Sequence, residues 1–197
     1  MKNRVIFTAS FVILVGALAI AAQTTPQTHD EFVDAGKEAA GKGDYATAAQ
    51  WYGKALNVRP DNHDVRNARA GCYAVLGKYD DAVKDVSIIL EAIPDSVFGL
   101  FARATYLNAK RDYKRAFKDA EAVIKLDPNH AGAYQARGGA YAGQKKYAEA
   151  IADLTKSIGL NPNDPTSYTV RAAIYEVQGN AGMAQADRIK AQQLSGK

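Results

Sequence analysis

The sequence predicts an all-α protein in which one pair of helices is repeated along the chain. Four prolines are evenly spaced, each lying 34 residues after the one before: Pro60, Pro94, Pro128 and Pro162. Two more residue types keep the same step, namely Ala48, Ala82, Ala116, Ala150 and Ala184, and Tyr45, Tyr79, Tyr113 and Tyr147. A fixed period of about 20–50 residues is typical of stacked structural repeats.

Each repeat carries the signals of two helices joined by a turn. The first helix has a small residue followed three positions later by a large one, as at Ala70 and Tyr73. A turn such as Gly77-Lys78 follows, and the second helix begins at the recurring tyrosine. The proline comes just beyond the second helix, which it is unable to continue. We expect the small residues of the first helix to face the recurring alanines of the second, so that the two backbones approach closely.

The step and the residues that keep it resemble those of the tetratricopeptide-repeat (TPR) family, whose unit is a helix–turn–helix of about 34 residues. The resemblance covers the chain after residue 28 and implies a right-handed α-solenoid. The expected units are 29–62, 63–96, 97–130, 131–164 and 165–194. The last unit is interpreted as a cap, because its second helix is polar on several sides and a terminal repeat needs a polar outer face.

The first 22 residues are typical of a secretory signal peptide. Lys2 and Arg4 precede an uncharged run over 5–22, which ends in small residues suited to cleavage after Ala21 or Ala22. Residues 23–28 then form a polar linker. We therefore expect a secreted protein that is periplasmic in a bacterium. The alternative is an uncleaved anchor that tethers a scaffold facing the periplasm, since ~18 apolar residues begin to suffice for a membrane span.

Composition and motifs argue against catalysis, metal binding and nucleic-acid binding. The formal net charge is +4 and falls to about +2 without Lys2 and Arg4, too weak a bias to indicate nucleic acid. The single cysteine, Cys72, is unable to form an internal disulfide or a thiolate metal site. The sequence has no Gly-rich phosphate loop, no HExxH motif and no plausible Cys–His or Ser–His pairing. We expect a protein that is not an enzyme and uses no cofactor or metal.

Two charged residues also follow the 34-residue step. Each arginine directly precedes the small residue of a first helix, and each aspartate lies sixteen residues later on the second helix. The expected pairs are Arg69 with Asp85, Arg103 with Asp119, Arg137 with Asp153, and Arg171 with Asp187. The first unit lacks both residues, which favours pairing within a unit as partly buried structural ion pairs. The alternative is a row of arginines that binds an anionic ligand.

The family resemblance implies a partner that binds along a concave surface lined by the first helices. The residues expected to contact it are Phe98, Phe101, Asn67, Thr105, Asn108 and Gln135. Phe98 and Phe101 lie one turn apart on the middle first helix, so we expect them at the centre of the interface. The alternative is that both rings pack against the neighbouring first helix.

Some chaperone-associated TPR domains hold a terminal carboxylate with a clamp of Lys, Asn and Arg. In this sequence the corresponding places are mostly uncharged: Val33, Lys37, Ala68, Phe98 and Ala102. The clamp is largely missing, so we expect a protein or peptide partner that is bound in another way.

The hairpin turns form a second candidate surface, which is basic. Its cations lie at or near three successive turns: Lys78, Lys110, Arg111, Lys114, Arg115, Lys145 and Lys146. Such an edge favours contact with anionic lipid headgroups or cell-wall polymer. Interspersed acidic residues fit a merely solvated edge better, so contact with a membrane surface is the less favoured interpretation.

Overall fold

The computed structural model describes residues 27–196, and within them the chain forms ten α-helices. They are α1 (His29–Gly41), α2 (Tyr45–Val58), α3 (His63–Val75), α4 (Tyr79–Ala92), α5 (Val97–Ala109), α6 (Tyr113–Leu126), α7 (Ala131–Gly143), α8 (Tyr147–Leu160), α9 (Pro165–Val177) and α10 (Ala181–Ser195). Consecutive helices are joined by short turns and pack as five pairs, from α1 with α2 to α9 with α10.

The pairs stack along one direction. Every second helix contacts the first helix of the following pair, and the first helices α5, α7 and α9 also contact one another in turn. First helices therefore lie on the inner side of the stack and second helices on the outer side, as in other helical-repeat arrays. The all-α solenoid that the sequence predicts is confirmed for residues 27–196.

Polar side chains placed 34 residues apart begin the first helices. Each accepts a hydrogen bond from a backbone N–H of the first turn: Thr28, Asn62, Ser96, His130 and Asp164. At α1 the Glu31 carboxylate also accepts a 2.9 Å hydrogen bond from the backbone N–H of Thr28, which completes a capping box. Each cap satisfies backbone donors that have no partner within the helix and contributes about 1 kcal/mol.

The turns inside the pairs require a left-handed backbone at one recurring position. Gly43, Gly77 and Gly179 hold it with φ of 71–79°, which costs glycine little. Arg111 and Lys145 occupy the same position in the third and fourth pairs, with φ of 67° and 62°. A side chain in this conformation costs roughly 1–2 kcal/mol, so these two turns are strained by comparison with the others.

The recurring small residues form the spine of the stack. The five alanines that begin with Ala48 are at most 1% exposed. A Cβ built on Gly138 would lie 3.2 Å from the backbone oxygen of Ala150, so first and second helices are in close contact at this level. The predicted approach of the two backbones is confirmed at this pair, and close packing there leaves no room for larger side chains.

The chain ends of the array differ from its middle. Helix α10 buries Ala184 and Ala191 but leaves the apolar side chains of Met183 and Ile189 about half exposed, so its outer face is less polar than the cap interpretation requires. The predicted signal peptide over 1–22 lies outside the described residues. Among the helices that are described, none combines the length and the apolar character of a membrane span.

Candidate functional site

A cavity of about 240 Å³ opens between the first helices α5, α7 and α9 on the inner side of the array. Helix α5 contributes Phe101, Thr105 and Asn108, helix α7 contributes Gly132, Gln135, Ala136 and Gly139, and helix α9 contributes Val170. Four of the six residues predicted for the partner site thus line one cavity. The two glycines lower the wall on the α7 side, which leaves the space open to a bound chain.

The structure gives the two predicted aromatic residues different positions. The Phe101 ring packs 4.9 Å from the His130 ring, and a Cβ on Gly132 would lie 2.8 Å from it. This half-buried ring therefore packs against the next unit, as the alternative interpretation had it, while still forming part of the cavity wall. Phe98 is 60% exposed and offers an uncovered apolar face beside the groove.

The polar residues of the cavity are partly engaged by the protein. The Asn108 amide donates a 2.7 Å hydrogen bond to the Ala136 carbonyl across the α5–α7 contact. The Thr105 hydroxyl is exposed and donates a 3.0 Å hydrogen bond to the Phe101 carbonyl one turn earlier. Asn67 is half-buried on α3 and lines neither this cavity nor the larger one described next.

A larger cavity, of about 520 Å³, lies between α1 and α3 at the other end of the groove. Its rim carries the carboxylates Asp30, Asp34 and Asp64. Two of them pair with cations of the same cavity: Asp34 with Lys37 at 3.3 Å and Asp30 with Arg59 at 3.7 Å. The size of this site was not predicted, although Asp30 and Asp64 stand 34 residues apart and so signalled a shared position.

The same cavity contains three of the five places where a chaperone-type clamp would lie. Val33 and Ala68 carry no charge, and the single cation, Lys37, is already paired with Asp34. A terminal carboxylate placed here would also face the neighbouring aspartates, and like charges at this range repel. The charge pattern of the cavity therefore opposes capture of a free carboxylate.

A buried histidine ties the first two units together behind this cavity. His29 Nδ1 donates to the Ala55 carbonyl at 3.1 Å, and the Asn62 amide donates to His29 Nε2 at 3.1 Å. Asn62 in turn caps α3 by accepting from the Val65 N–H. These bonds fit a neutral imidazole with its proton on Nδ1, so this ring links the end of the first unit to the start of the second.

The structure brings the four predicted ion pairs together within their own units. Each arginine donates two hydrogen bonds to both oxygens of one aspartate, at 2.6–2.9 Å, in Arg69–Asp85, Arg103–Asp119, Arg137–Asp153 and Arg171–Asp187. The side-chain hydrogen bond from its aspartate raises the pKa of each arginine above the usual value. Guanidiniums held in this way are not free to form a row for an anionic ligand.

Two of these arginines also reach the preceding unit, which the sequence analysis missed. Arg103 Nη1 donates to the Ser87 hydroxyl on α4 at 3.3 Å, and Arg171 Nη1 donates to the Thr155 hydroxyl on α8 at 2.8 Å. A signal was present, because Ser87 and Thr155 occupy equivalent repeat positions. The pairs therefore connect neighbouring units as well as the two helices of one unit.

The described residues contain no cluster of three or more His, Cys, Asp or Glu residues that could hold a metal ion. Cys72 is buried, and burial raises the pKa of its thiol. A thiol whose pKa is raised by apolar surroundings is a poor nucleophile near neutral pH. Its position fits the prediction of a small buried residue.

Comparisons with known proteins agree with this architecture. The chain is 38% identical over 56 residues to Hsp70-Hsp90 organizing protein 3 of Arabidopsis thaliana, a match that covers 28% of this chain and 10% of that protein. The chain thus spans about a tenth of the length of the curated relative it matches.

Solved structures with a similar fold share little sequence identity with this chain. MamA from residue 41 to its end, from Desulfovibrio magneticus RS-1, superposes with a TM-score of 0.72 at 19% identity, covering 86% of this chain and 96% of that one. A thermophilic TPR protein of Thermus thermophilus superposes with a TM-score of 0.73 at 19% identity, covering 86% and 93%.

Family models complete the comparison. Residues 33–97 and residues 102–175 each match a model described as tetratricopeptide repeat. Together the two matches span four of the five helical pairs in the structure, and the similar solved structures include TPR proteins. The chain belongs to the tetratricopeptide-repeat family.

Proposed function

We propose that this protein is a non-catalytic adaptor of the cell envelope that binds a segment of a partner protein in its inner groove. The observation that carries the proposal is the cavity between α5, α7 and α9, which is lined by Phe101 and by the glycines Gly132 and Gly139. An apolar wall beside glycine-bearing helix surface suits an extended or helical segment that lies along the groove.

The groove also indicates which part of a partner it suits. Phe98 is exposed near the middle of the array, and an uncovered aromatic side chain in that place can anchor an apolar residue of the partner. The aspartates at the α1–α3 end disfavour a terminal carboxylate. An internal segment with an apolar centre therefore fits better than a free C-terminus.

Export is the second part of the proposal. It rests on the signal-peptide pattern of residues 1–22, with a mature chain that begins at Ala22 or Gln23. Mass spectrometry and N-terminal sequencing of the protein from fractionated cells test it. A periplasmic chain that starts at Ala22 or Gln23 supports a free adaptor, whereas an intact Met1 in the membrane fraction supports the tethered scaffold instead.

The groove is tested by affinity measurements with a partner captured from envelope extract by crosslinking. Phe98→Ala removes the exposed ring, and Gly139→Gln places a side chain in the cavity, where a Cβ would make only ordinary contact with Asn108. Each should weaken binding about tenfold, a loss of ~1.4 kcal/mol, with the helical circular dichroism unchanged.

Two matched variants control for general effects of these substitutions. Leu126→Ala trims an exposed apolar residue at the end of α6, and Gly159→Gln adds the same side chain on exposed α8 surface. Both should bind as the parent does. Normal binding by Phe98→Ala and Gly139→Gln, or equal losses in the two controls, would reject the groove as the binding surface.

A further inference from the structure

The array has a crevice on its turn side that recurs at equivalent positions between units. Between the first and second units the crevice is about 170 Å³, and its lining is mostly neutral: Ala46, Ala49, Gln50, Tyr73, Leu76 and Lys78. Between the third and fourth units a crevice of about 390 Å³ is formed by residues that lie two repeats further on, as Lys114 does from Ala46. The fold supplies the space, and the side chains at each junction decide its chemistry.

The crevice between the third and fourth units is cationic. Lys114 and Lys118 enter it from α6, and Lys146 enters it from the turn before α8. None of these three lysines takes part in an ion pair found within residues 27–196. Glu121 is the one acidic residue of the lining, and it pairs with Lys125 at 3.4 Å. The lining itself therefore carries a formal charge of +2.

An aromatic wall closes one side of this crevice. Phe117 and Tyr141 meet edge to face with ring centroids 5.2 Å apart, and the Lys146 ammonium lies 5.8 Å from the Tyr141 ring. Such rings give a flat apolar surface to the organic part of a ligand, next to cations that attract its charged part.

The same decoration is missing from the junction one unit earlier. There the positions of Lys114 and Lys146 are taken by Asp80 and Asp112, and the aromatic wall is replaced by Val83 and Leu107. Only the position of Lys118 keeps a cation, at Lys84. Three lysines and two aromatic rings thus meet at a single junction.

The strained turns border this crevice. Arg111 stands three residues before Lys114, Lys145 stands directly before Lys146, and both hold the left-handed conformation that glycine holds in the other three turns. Both side chains are exposed and add positive charge at the rim. Backbone strain at a charged position is the kind of feature that is often found at a binding site.

We propose that this crevice, formed by Lys114, Lys118 and Lys146 with Phe117 and Tyr141, binds a phosphate monoester whose organic part lies on the aromatic wall. A phosphate monoester carries a charge of about −1.5 to −2 near neutral pH, which matches the +2 of the lining. A volume of 390 Å³ exceeds what inorganic phosphate fills and leaves room for a ring beside it. The site is separate from the inner groove and does not depend on the function proposed for that groove.

Phenyl phosphate is a suitable probe, titrated into the full chain and followed by amide chemical shifts in NMR spectra. The shifts should centre on the α6–α7 junction. Benzoate, which offers one negative charge on a similar ring, should bind clearly more weakly. Lys118→Gln should weaken phenyl phosphate about fivefold, and Lys114→Gln combined with Lys146→Gln should weaken it more than tenfold. Tyr141→Leu should weaken phenyl phosphate while leaving the weaker binding of inorganic phosphate unchanged.

Lys84→Gln is the matched control, because Lys84 occupies the position of Lys118 one unit earlier and is also exposed. It should bind phenyl phosphate as the parent does. A loss equal to that of Lys118→Gln would show only a general effect of charge and overturn the site. Equal affinity for benzoate, or shifts centred away from α6 and α7, would overturn it as well.

Vesicles distinguish the two sources of a phosphate monoester. Phosphatidic acid in phosphatidylcholine vesicles supplies a lipid source, with pure phosphatidylcholine as the blank. Sedimentation of the protein with phosphatidic acid that phenyl phosphate abolishes would identify a lipid headgroup as a ligand of the crevice. Binding of phenyl phosphate without sedimentation would identify a soluble ester, and vesicle binding that phenyl phosphate leaves unchanged would contradict the assignment.

Discussion

Replacing Arg103 with alanine tests whether its ion pair with Asp119 holds α5 and α6 together. The Arg103 side chain is 21% exposed and that of Asp119 is 10% exposed, and two hydrogen bonds of 2.7 and 2.9 Å join them. Breaking a buried pair by removing one partner costs ~3–5 kcal/mol, because the other charge is left without compensation. Since Arg103 is one-fifth exposed, we expect a loss of about 2–3 kcal/mol for each single variant.

The double variant is the informative one. Arg103→Ala combined with Asp119→Ala strands no charge, so its loss should be only about 3 kcal/mol, well below the sum of the single losses. The coupling free energy should therefore be about 2 kcal/mol. Urea unfolding followed by circular dichroism measures all four proteins of the cycle.

An exposed pair in the same protein provides the control. Asp34 and Lys37 are 3.3 Å apart one turn along α1, with side chains that are 76% and 68% exposed. Their cycle should give a coupling of about 0.5 kcal/mol or less. Additive energies for Arg103 and Asp119, or a coupling no larger than that of the exposed pair, would refute the structural role assigned to the arginine–aspartate pairs.

Three further predictions concern the ends and turns of the helices. Backbone hydrogen bonds from Gln27 and Thr28 lower the pKa of Glu31 below 4.5, so its support of α1 is present above that pH and is lost as pH falls through the lowered value; Thr28→Ala should move the NMR-titrated pKa of Glu31 back towards 4.5. Gly36→Ala should destabilise the protein by about 1–3 kcal/mol in urea unfolding, because its Cβ would lie 2.5 Å from a buried tyrosine ring, whereas Gly71→Ala, which meets nothing within 4 Å, should stabilise it by up to ~1 kcal/mol. Arg111→Gly should raise the free energy of unfolding by about 1 kcal/mol by relieving the positive φ, and a lower or unchanged melting temperature would contradict the strain assigned to that turn.

The fold was predictable because its determinants are local and repeated. Ala48 and its counterparts mark positions where two backbones meet, and Pro60 and its counterparts mark the end of a second helix, so one motif read several times gives the whole stack. The left-handed turns at Arg111 and Lys145 were less predictable. Arginine and lysine carry no preference for positive φ, and only the equivalence with Gly77 places them there.

The candidate site was predictable only in outline. The pattern places Phe98 and Phe101 on the same helix but gives no indication of what lies beside each ring. Phe101 is half-buried because Gly132, on the next first helix, leaves room for it, and that relation depends on the offset between units. The crevice at Lys114 and Lys146 needs the same information, because residues from different helices form it.

In mechanical terms, the array is a row of plates with joints of unequal stiffness. Arg103 and Arg171 latch their units to the preceding ones through Ser87 and Thr155, whereas no such latch links Arg137 to α6 among the hydrogen bonds of residues 27–196. Flexing should therefore concentrate at the joint between the third and fourth units. The middle cavity of the groove opens on one side of that joint and the cationic crevice on the turn side, so a ligand that wedges either one apart would bend the whole array and alter the fit of the other.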